Sequence, residues 1–422
     1  RPGPRARPSA EPSLRETRPA QMHILWLKTE LLHPVDKGGR IRTYQMLREL
    51  VKRHRVTYLT LDDGAAAPDA AERASEYCHE LVRVPHRAPK KFTPGFYVHV
   101  ARTLLSPLPY AVARYRSRAM REEIVRRVAR GDVDLLVCDF LAPSVNVPED
   151  LPVRRLLFQH NVEASIWERH AQVAKHPVYR ALYRGQWRRM RRFEGRECAR
   201  YDRVVAVSEE DAERMRRDYG VRDVASIPTG VDTEFFRPGP PERVVPSSLV
   251  FTGSMDWLPN QDAIRFLVEQ ILPRIRATVP DVTLTVVGRD PPPALVAACA
   301  DDPGITFTGW VEDVRPYIER AAVYVVPIRI GGGTRLKIYE AMAMEKPVVS
   351  TTVGAEGLPL VDGQHILLAD SPDAFADAVV RLLRDPVGAR DLASRGATYV
   401  RERFGWDRVA ATFSEICEET VK

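Results

Sequence analysis

Three short stretches of the 422-residue chain combine residue types whose spacing serves chemistry. The densest is IGGGTRLKIYEAMA, where Gly331, Gly332 and Gly333 stand between a strand-like run and a helix that starts near Thr334. The backbone amides of such a loop, with the positive end of a helix dipole behind them, form an anion cradle that suits a diphosphate. Arg335 and Lys337 add mobile positive charge beside it. Glu340 follows on the same helix, within side-chain reach of whatever the loop holds, and a carboxylate matches a vicinal diol because it accepts two hydrogen bonds. The second stretch is KGGR at 37–40, in which Gly38, Gly39 and Arg40 follow an apolar run and open a helix, so a ligand can approach the backbone amides closely. The third is FQHNVE. His160 ends a buried strand there, and by itself it reads as a core histidine; Asn161 and Glu163 either contact hydroxyl groups or cap the next helix.

The elements that must position these residues follow from the hydrophobic pattern. From Met22, a candidate start of the natural chain, MHILWLK, a helix from about Arg40 to Arg53 and RVTYLTL make a βαβ opening. LVRVP at 81–85, DLLVCD at 134–139, RRLLFQH at 154–160, RVVAVS at 203–208 and VASIPTG at 224–230 are short, apolar and bounded by turn or capping residues, as buried parallel strands are. Four prolines and a glycine in RPGPPERVVPSS, residues 237–248, break the pattern. The alternation then restarts with SLVFTGS, a helix near 259–278, VTLTVVGR, ITFTGW, VYVVP, a helix near 334–344, PVVST and HILLAD. Two helices at about 371–403 and a last amphipathic helix opened by Trp406 complete the chain. The expected domains are therefore a disordered tail at 1–21, an N-terminal Rossmann-like domain at 22–237, a linker at 238–247 and a second Rossmann-like domain at 248–405. Residues 406–422 should form a helix that crosses back to the first domain. Such a pair is an α/β architecture of two doubly wound domains facing a central cleft, where strand ends supply the ligand-binding loops.

Composition narrows the functions. Hydrophobic residues at 44% and charged residues at 28% are ordinary globular usage. The opening RPGPRARPSAEPSLRETRPAQ has almost no large apolar residue and cannot offset the entropy of ordering. The five cysteines lie far apart without a C-x-x-C pair, which suggests neither a disulfide framework nor a zinc site and fits a reducing compartment. No apolar run approaches the ~18 residues of a membrane span. No G-x-G-x-x-G follows an early strand, which argues against nicotinamide or flavin chemistry. The net charge of +7 is unevenly spread: residues 22–237 hold 39 Lys/Arg against 29 Asp/Glu, while residues 238–422 hold 19 against 25. A basic first half suits a solvated surface or a partner of negative charge. The run from Arg169 to Arg203 reads as basic amphipathic helix, and FYVHVARTLLSPLPYAVARYRSR at 96–118 sets aromatics beside arginines; both suit an anionic membrane surface or ordinary packing on the first sheet.

Taken in order, VVAVSE, IPTGVD, TGSMDWLPNQDA, VVGRD, FTGW and GGGTRLKIYEAMAMEKPVVSTTVGAEGL resemble glycosyltransferase family 4, the retaining nucleotide-sugar transferases of GT-B fold, over nearly all of residues 22–420. TGSMDWLPNQDA and the GGGTRLK form of the loop look like a branch associated with exopolysaccharide and cell-surface glycan assembly. The resemblance implies a cytoplasmic, metal-independent enzyme, peripheral at the inner face of the membrane where its acceptor is lipid-linked. It would need no cofactor beyond the nucleotide sugar and would pass a hexose to a glycan, lipid-linked or small-molecule acceptor. It further implies that Gly253, Gly309, Gly331, Gly332, Gly333, Thr334, Arg335, Lys337 and Glu340 bind the donor, with Glu340 on the ribose. His160 would lie beside the donor sugar, and Gly38, Gly39, Arg40, Asn161 and Glu163 would face the diphosphate or acceptor. Two departures matter. The first of the family's usual glutamate pair falls on Gly332, and the cations many members carry after the first C-terminal strand fall on Ser254 and about Asn260. Arg335 and Lys337 are the substitutes expected to stabilise the leaving diphosphate, with His160 the third catalytic candidate.

Two other functions share this pattern. A sugar-nucleotide epimerase or hydrolase uses the same scaffold, and a non-catalytic bilobal protein binding glycan or nucleic acid would explain the basic first half. The acidic balance of the second half and its diphosphate loop favour a small-molecule donor over nucleic acid.

Overall fold

Runs such as HILWLK and LLVCD are apolar on both alternations, so they form strands buried on both faces. The computed structural model describes residues 21–35, 38–87, 106–174, 176–330 and 336–422. The proline-rich opening, Lys37, the first part of the 96–118 stretch, and the loop residues Gly331, Gly332, Gly333, Thr334 and Arg335 lie outside the described residues.

The first sheet contains β1 (His23–Lys28), β2 (Arg55–Asp62), β3 (Glu80–Pro85), β4 (Leu135–Asp139), β5 (Arg154–Gln159), β6 (Arg203–Ala206) and β7 (Val224–Ser226). Its strands are parallel, in the order β3-β2-β1-β4-β5-β6-β7. Alternate residues feed separate cores: Leu25, Leu27, Leu136 and Cys138 pack on one face, Ile24, Trp26, Leu135 and Val137 on the other. The second sheet contains β8 (Ser248–Thr252), β9 (Thr283–Val287), β10 (Ile305–Phe307), β11 (Val323–Val326), β12 (Val348–Ser350) and β13 (Leu367–Leu368). It repeats the parallel arrangement as β10-β9-β8-β11-β12-β13. The strand order reverses between β1 and β4, and again between β8 and β11. Ligand crevices form at such reversal points, outside the carboxyl ends of the strands. The two domains are Rossmann-like, with the parallel sheets of the GT-B fold.

The helices relevant to the site are α1 (Gly38–Leu50), α2 (Arg118–Val128), α3 (Glu163–Val173), α4 (Pro177–Arg200), α5 (Glu209–Tyr219), α6 (Leu258–Phe266), α7 (Leu336–Ala343), α8 (Pro372–Arg384), α9 (Pro386–Phe404) and α10 (Trp406–Val421). α1 buries Thr43, Met46, Leu47 and Leu50, the spacing of a single helical face. α5 begins where Ser208 accepts from the Asp211 amide, carries Glu209, Glu210 and Asp211 in its first turn, and ends at Gly220 with φ +66°. The single helix expected near 259–278 is interrupted by a π turn at Leu267–Ile271 before a short helix at Leu272–Arg276. Pro273 explains the break, because it has no amide to continue the α pattern.

The chain passes from the first sheet to the second beside the point where it returns. The Val231 amide donates to the Phe404 carbonyl at 2.7 Å, and a Cβ on Gly230 would fall 2.6 Å from the Trp406 ring. α10 packs on the first sheet, where Trp406, Val409, Ala410, Phe413, Ile416 and Cys417 join the core built around Trp26 and Phe158. His54 Nε2 lies 2.6 Å from Ser414 Oγ, a contact that ties α10 to the turn after α1.

Candidate active site

Both sheets contribute to one cleft of about 550 Å³. From the first domain it is lined by Gly38, Gly39 and Arg42 on α1, by Phe140 after β4, by His160 and Asn161 after β5, and by Ser208 and Asp211 at the start of α5; Leu336, Glu356 and Gly357 line it from the second domain. Three helices therefore point their N-termini at one space, as the doubly wound fold requires.

The three are not equivalent. The first turn of α1 holds no acidic residue. α5 is capped by Ser208 and loaded with carboxylates. At α3 neither Asn161 nor Glu163 is the cap; the carboxylate of Glu194, reaching from α4, accepts from the Glu163 amide at 2.7 Å and the Ala164 amide at 3.0 Å. Burial pushes the Glu194 carboxyl up to about 7, although Tyr219 and these amides hydrogen-bond to it. Burial and the neighbouring Glu194 push Glu163 up to about 7 as well, and Glu163 does not border the cleft whereas the exposed Asn161 does.

Arg40 and Arg42 divide similarly. Arg40 is turned to Glu30, with Nη2 at 2.6 Å, and to the Pro34 carbonyl at 3.1 Å, away from the cleft. Two residues along a helix turn a side chain about 200°, so Arg42 faces the cleft instead. Arg42 donates to Thr229, its Nε is buried without a partner among the described residues, and burial lowers its pKa to about 10 against the attraction of Asp139 and Asp211. Gly39 is needed for packing: a Cβ there would meet the Phe140 ring at 2.8 Å, while one on Gly38 would meet nothing within 4 Å.

His160 is buried beside three residues that motif reasoning missed. Its Nε2 lies 2.8 Å from Asp139 Oδ1, its ring stacks on Phe140 with centroids 3.8 Å apart, and Lys28 Nζ reaches Asp139 Oδ2 at 2.8 Å. Burial lowers the imidazole pKa to about 3, more than Asp139 raises it, so the ring is neutral. Burial would raise the Asp139 carboxyl, but Lys28 and His160 hold it well below the usual range. A signal was available: ILWLK and LLVCD each end an apolar run on a charge, at the end where such sheets bind ligands.

The donor-side candidates gather on the second domain. Gly253, Gly288 and Gly309 stand at the carboxyl ends of β8, β9 and β10. The Gly253 amide donates to the Val287 carbonyl at 2.8 Å and the Gly288 amide to the Gly309 carbonyl at 3.2 Å. A Cβ on Gly253 would fall 2.6 Å from Lys337 Nζ and 2.7 Å from Asn260 Nδ2. Lys337, in the first turn of α7, thus crosses the end of β8, with Nζ 3.3 Å from Asn260 Oδ1 and 4.3 Å from the Phe251 ring centroid. The positions at Ser254 and Asn260 that lack a cation are next to one supplied from α7. Glu340 follows on α7, where burial pushes its carboxyl up to about 7 although Lys337 pulls it down. Lys337, Glu340, Gly253 and Gly309 do not border the cleft described above, which reaches the second domain at Leu336, Glu356 and Gly357. Among the described residues no group of three or more His, Cys, Asp or Glu side chains gathers as a metal site would.

The family model described as Glycosyltransferase Family 4 matches residues 37–235, and the one described as Glycosyl transferases group 1 matches residues 246–385. The chain is a glycosyltransferase of GT-B fold. The enzyme is 27% identical over 348 residues to the phosphatidyl-myo-inositol mannosyltransferase of Mycobacterium leprae, covering 78% of this chain and 86% of that one. It is 28% identical over 251 residues to the D-inositol 3-phosphate glycosyltransferase of Streptomyces bingchenggensis, a match spanning 52% of this chain and about half, 53%, of that relative. Among solved structures it is similar to the sucrose-phosphate synthase of Thermosynechococcus elongatus, with a TM-score of 0.66 at 20% identity over 94% of this chain and 99% of that one. No helix among the described residues of the glycosyltransferase is long and apolar enough to cross a membrane.

Proposed function

We propose that the enzyme is a family 4 member that transfers a hexose from a nucleoside diphosphate donor with retention of configuration and without a metal. The observation that carries this reading is the meeting of two half-sites: His160 and the open N-terminus of α1 from one domain share a cleft with Leu336 of α7, the helix that bears Lys337 and Glu340. In this reading the glycine loop, Arg335 and Lys337 hold the diphosphate and stabilise the negative charge that develops as it leaves. Glu340 accepts from the ribose, His160 and Asn161 face the sugars, and the departing phosphate takes the acceptor proton on the same face.

An acceptor bearing a lipid anchor or an anionic group suits the first domain. The named acceptors of the mannosyltransferase and inositol-phosphate relatives support that class. The first half of α4 supports it too, because Val178, Tyr179 and Leu182 are exposed there beside Arg180, Arg184 and Arg188. Such a face fits the cytoplasmic surface of an anionic membrane, and assembly of a cell-surface glycan is the role that fits both partners.

The test is turnover of Arg335→Ala and Lys337→Ala with UDP- and GDP-hexoses. Each should fall roughly a hundredfold, as when one charge-stabilising donor is removed from a transfer site. Product analysis with and without acceptor separates transfer from hydrolysis or epimerisation. Unchanged turnover and nucleoside diphosphate affinity in both variants would place the donor site elsewhere.

A further inference from the structure

Lys28 is the last residue of β1 and Asp139 the last of β4, neighbours at the point where the first sheet reverses its order. At 2% and 0% exposure, two such charges persist only if paired and fully hydrogen-bonded. Asp139 divides its two oxygens unequally. Oδ2 receives Lys28 Nζ at 2.8 Å, Thr43 Oγ1 at 2.6 Å and Trp26 Nε1 at 3.0 Å. Oδ1 takes none of these donors and faces His160 Nε2 at 2.8 Å. Two lone pairs at that separation repel, so Nε2 carries the proton.

The rest of the imidazole is confined. Phe140 has φ +70°, a region few non-glycine residues adopt. This backbone sets its ring 3.8 Å from that of His160 and 4.2 Å from Lys28 Nζ; Phe158 lies 4.5 Å from the imidazole. Among the described residues Nδ1 is buried without a partner, and Nε2 has only the Asp139 Oδ1 contact, close but not aligned as a hydrogen bond, on a residue that lines the cleft. Buried polar atoms are rarely left so unless a ligand or solvent completes them.

We propose that Asp139 is a positioning residue that locks His160 in the Nε2–H tautomer, so that Nδ1 is presented as a hydrogen-bond acceptor for a hydroxyl group of the sugar entering the cleft. The inference rests on His160 facing sugar, as above, and assigns to the Lys28–Asp139 pair the task of choosing which ring nitrogen the substrate meets. A protonated Nδ1 would instead donate to the hydroxyl oxygen, reversing the bond and leaving the sugar's own proton to find another acceptor.

Asp139→Asn tests this. The amide must put one oxygen and one NH2 where two oxygens were, and the donors on Lys28, Thr43 and Trp26 require the oxygen at the Oδ2 position. The NH2 then faces His160 Nε2, and the ring proton must move to Nδ1. Two-bond ¹⁵N–¹H correlation spectra of the full chain labelled with ¹⁵N-histidine distinguish the tautomers. Wild type should show Nε2–H at His160 and Asp139→Asn should show Nδ1–H, with kcat/KM for a UDP- or GDP-hexose lower by roughly 10- to 100-fold. Should the single variant fail to fold because Lys28 is left buried and unpaired, Lys28→Met/Asp139→Asn removes both charges, keeps the Thr43 and Trp26 donors, and must show the same inversion. A wild-type Nδ1–H form, or an unchanged tautomer or kcat/KM in the folded variant, overturns the inference. His160→Ala separates the two layers: full activity there refutes the sugar-facing role of His160, whereas inactivity with an unaltered tautomer in Asp139→Asn refutes only the role of Asp139.

Discussion

Glu340, proposed above to hold the ribose, shows how such a residue works against the stability of its own fold. Burial pushes its carboxyl up from an ordinary 4.5 to about 7. The folded chain therefore keeps this proton over a pH range in which the unfolded chain has released it. The sign follows: the stabilising contribution is full below about pH 4.5 and is lost as pH rises through 7. Glu340→Gln carries no charge to bury, so its melting temperature at pH 8 should match or exceed that of wild type in differential scanning fluorimetry. Its affinity for UDP or GDP should weaken about tenfold, the effect of losing a charge-assisted hydrogen bond. If Glu340 accepts from the ribose as proposed, titration calorimetry should also show wild-type affinity rising between pH 6 and 8, as the carboxylate forms, and Glu340→Gln should flatten that rise. A variant both less stable and equally tight would mean that Glu340 packs the helix and touches no ligand.

At the scale of elements, α10 joins the two domains. It follows the second sheet in sequence but buries Phe413 against Trp26 and Phe158, with ring centroids 5.7 and 5.1 Å away. Truncating a fully buried phenylalanine costs about 3–5 kcal/mol, because both transfer energy and a cavity are lost. Phe413→Ala should therefore lower the unfolding free energy by an amount of that size, with a lower urea midpoint read by circular dichroism. An unchanged midpoint would mean that α10 is not part of the cooperative unit. The Gly230 contact with Trp406 belongs to the same joint, and a side chain at 230 would force the crossing apart.

For the whole molecule the charge distribution matters more than its sum of +7. The basic excess lies in residues 22–237, and α4 exposes Val178, Tyr179 and Leu182 between its arginines. Sedimentation with vesicles containing anionic lipid should show binding that weakens as salt rises, since each arginine near such a surface contributes about 1 kcal/mol and is screened within roughly 8 Å at physiological salt. Val178→Asp/Leu182→Asp should reduce it further while turnover on a soluble acceptor is retained. Equal indifference to anionic and neutral vesicles at low salt would remove the membrane from the proposal.

The sequence by itself determined the class and order of the elements, because a strand buried on both faces must be an apolar run and a helix between sheets must carry apolar residues every three or four positions. It also offered a crossing at 237–248, where prolines interrupt either pattern, and a glycine loop beside Lys337 and Glu340 as the proposed donor site. Only the tertiary structure decided which strand ends are neighbours. The order β2-β1-β4-β5 brings Lys28, Asp139 and His160 together across more than a hundred residues, and no local pattern encodes that adjacency. Likewise the pitch of α1 chose Arg42 over Arg40 for the cleft, and packing from α4 chose Glu194 over Asn161 as the cap of α3. Residue type sets what a side chain is able to do; the register of sheets and the turn of helices set what it meets.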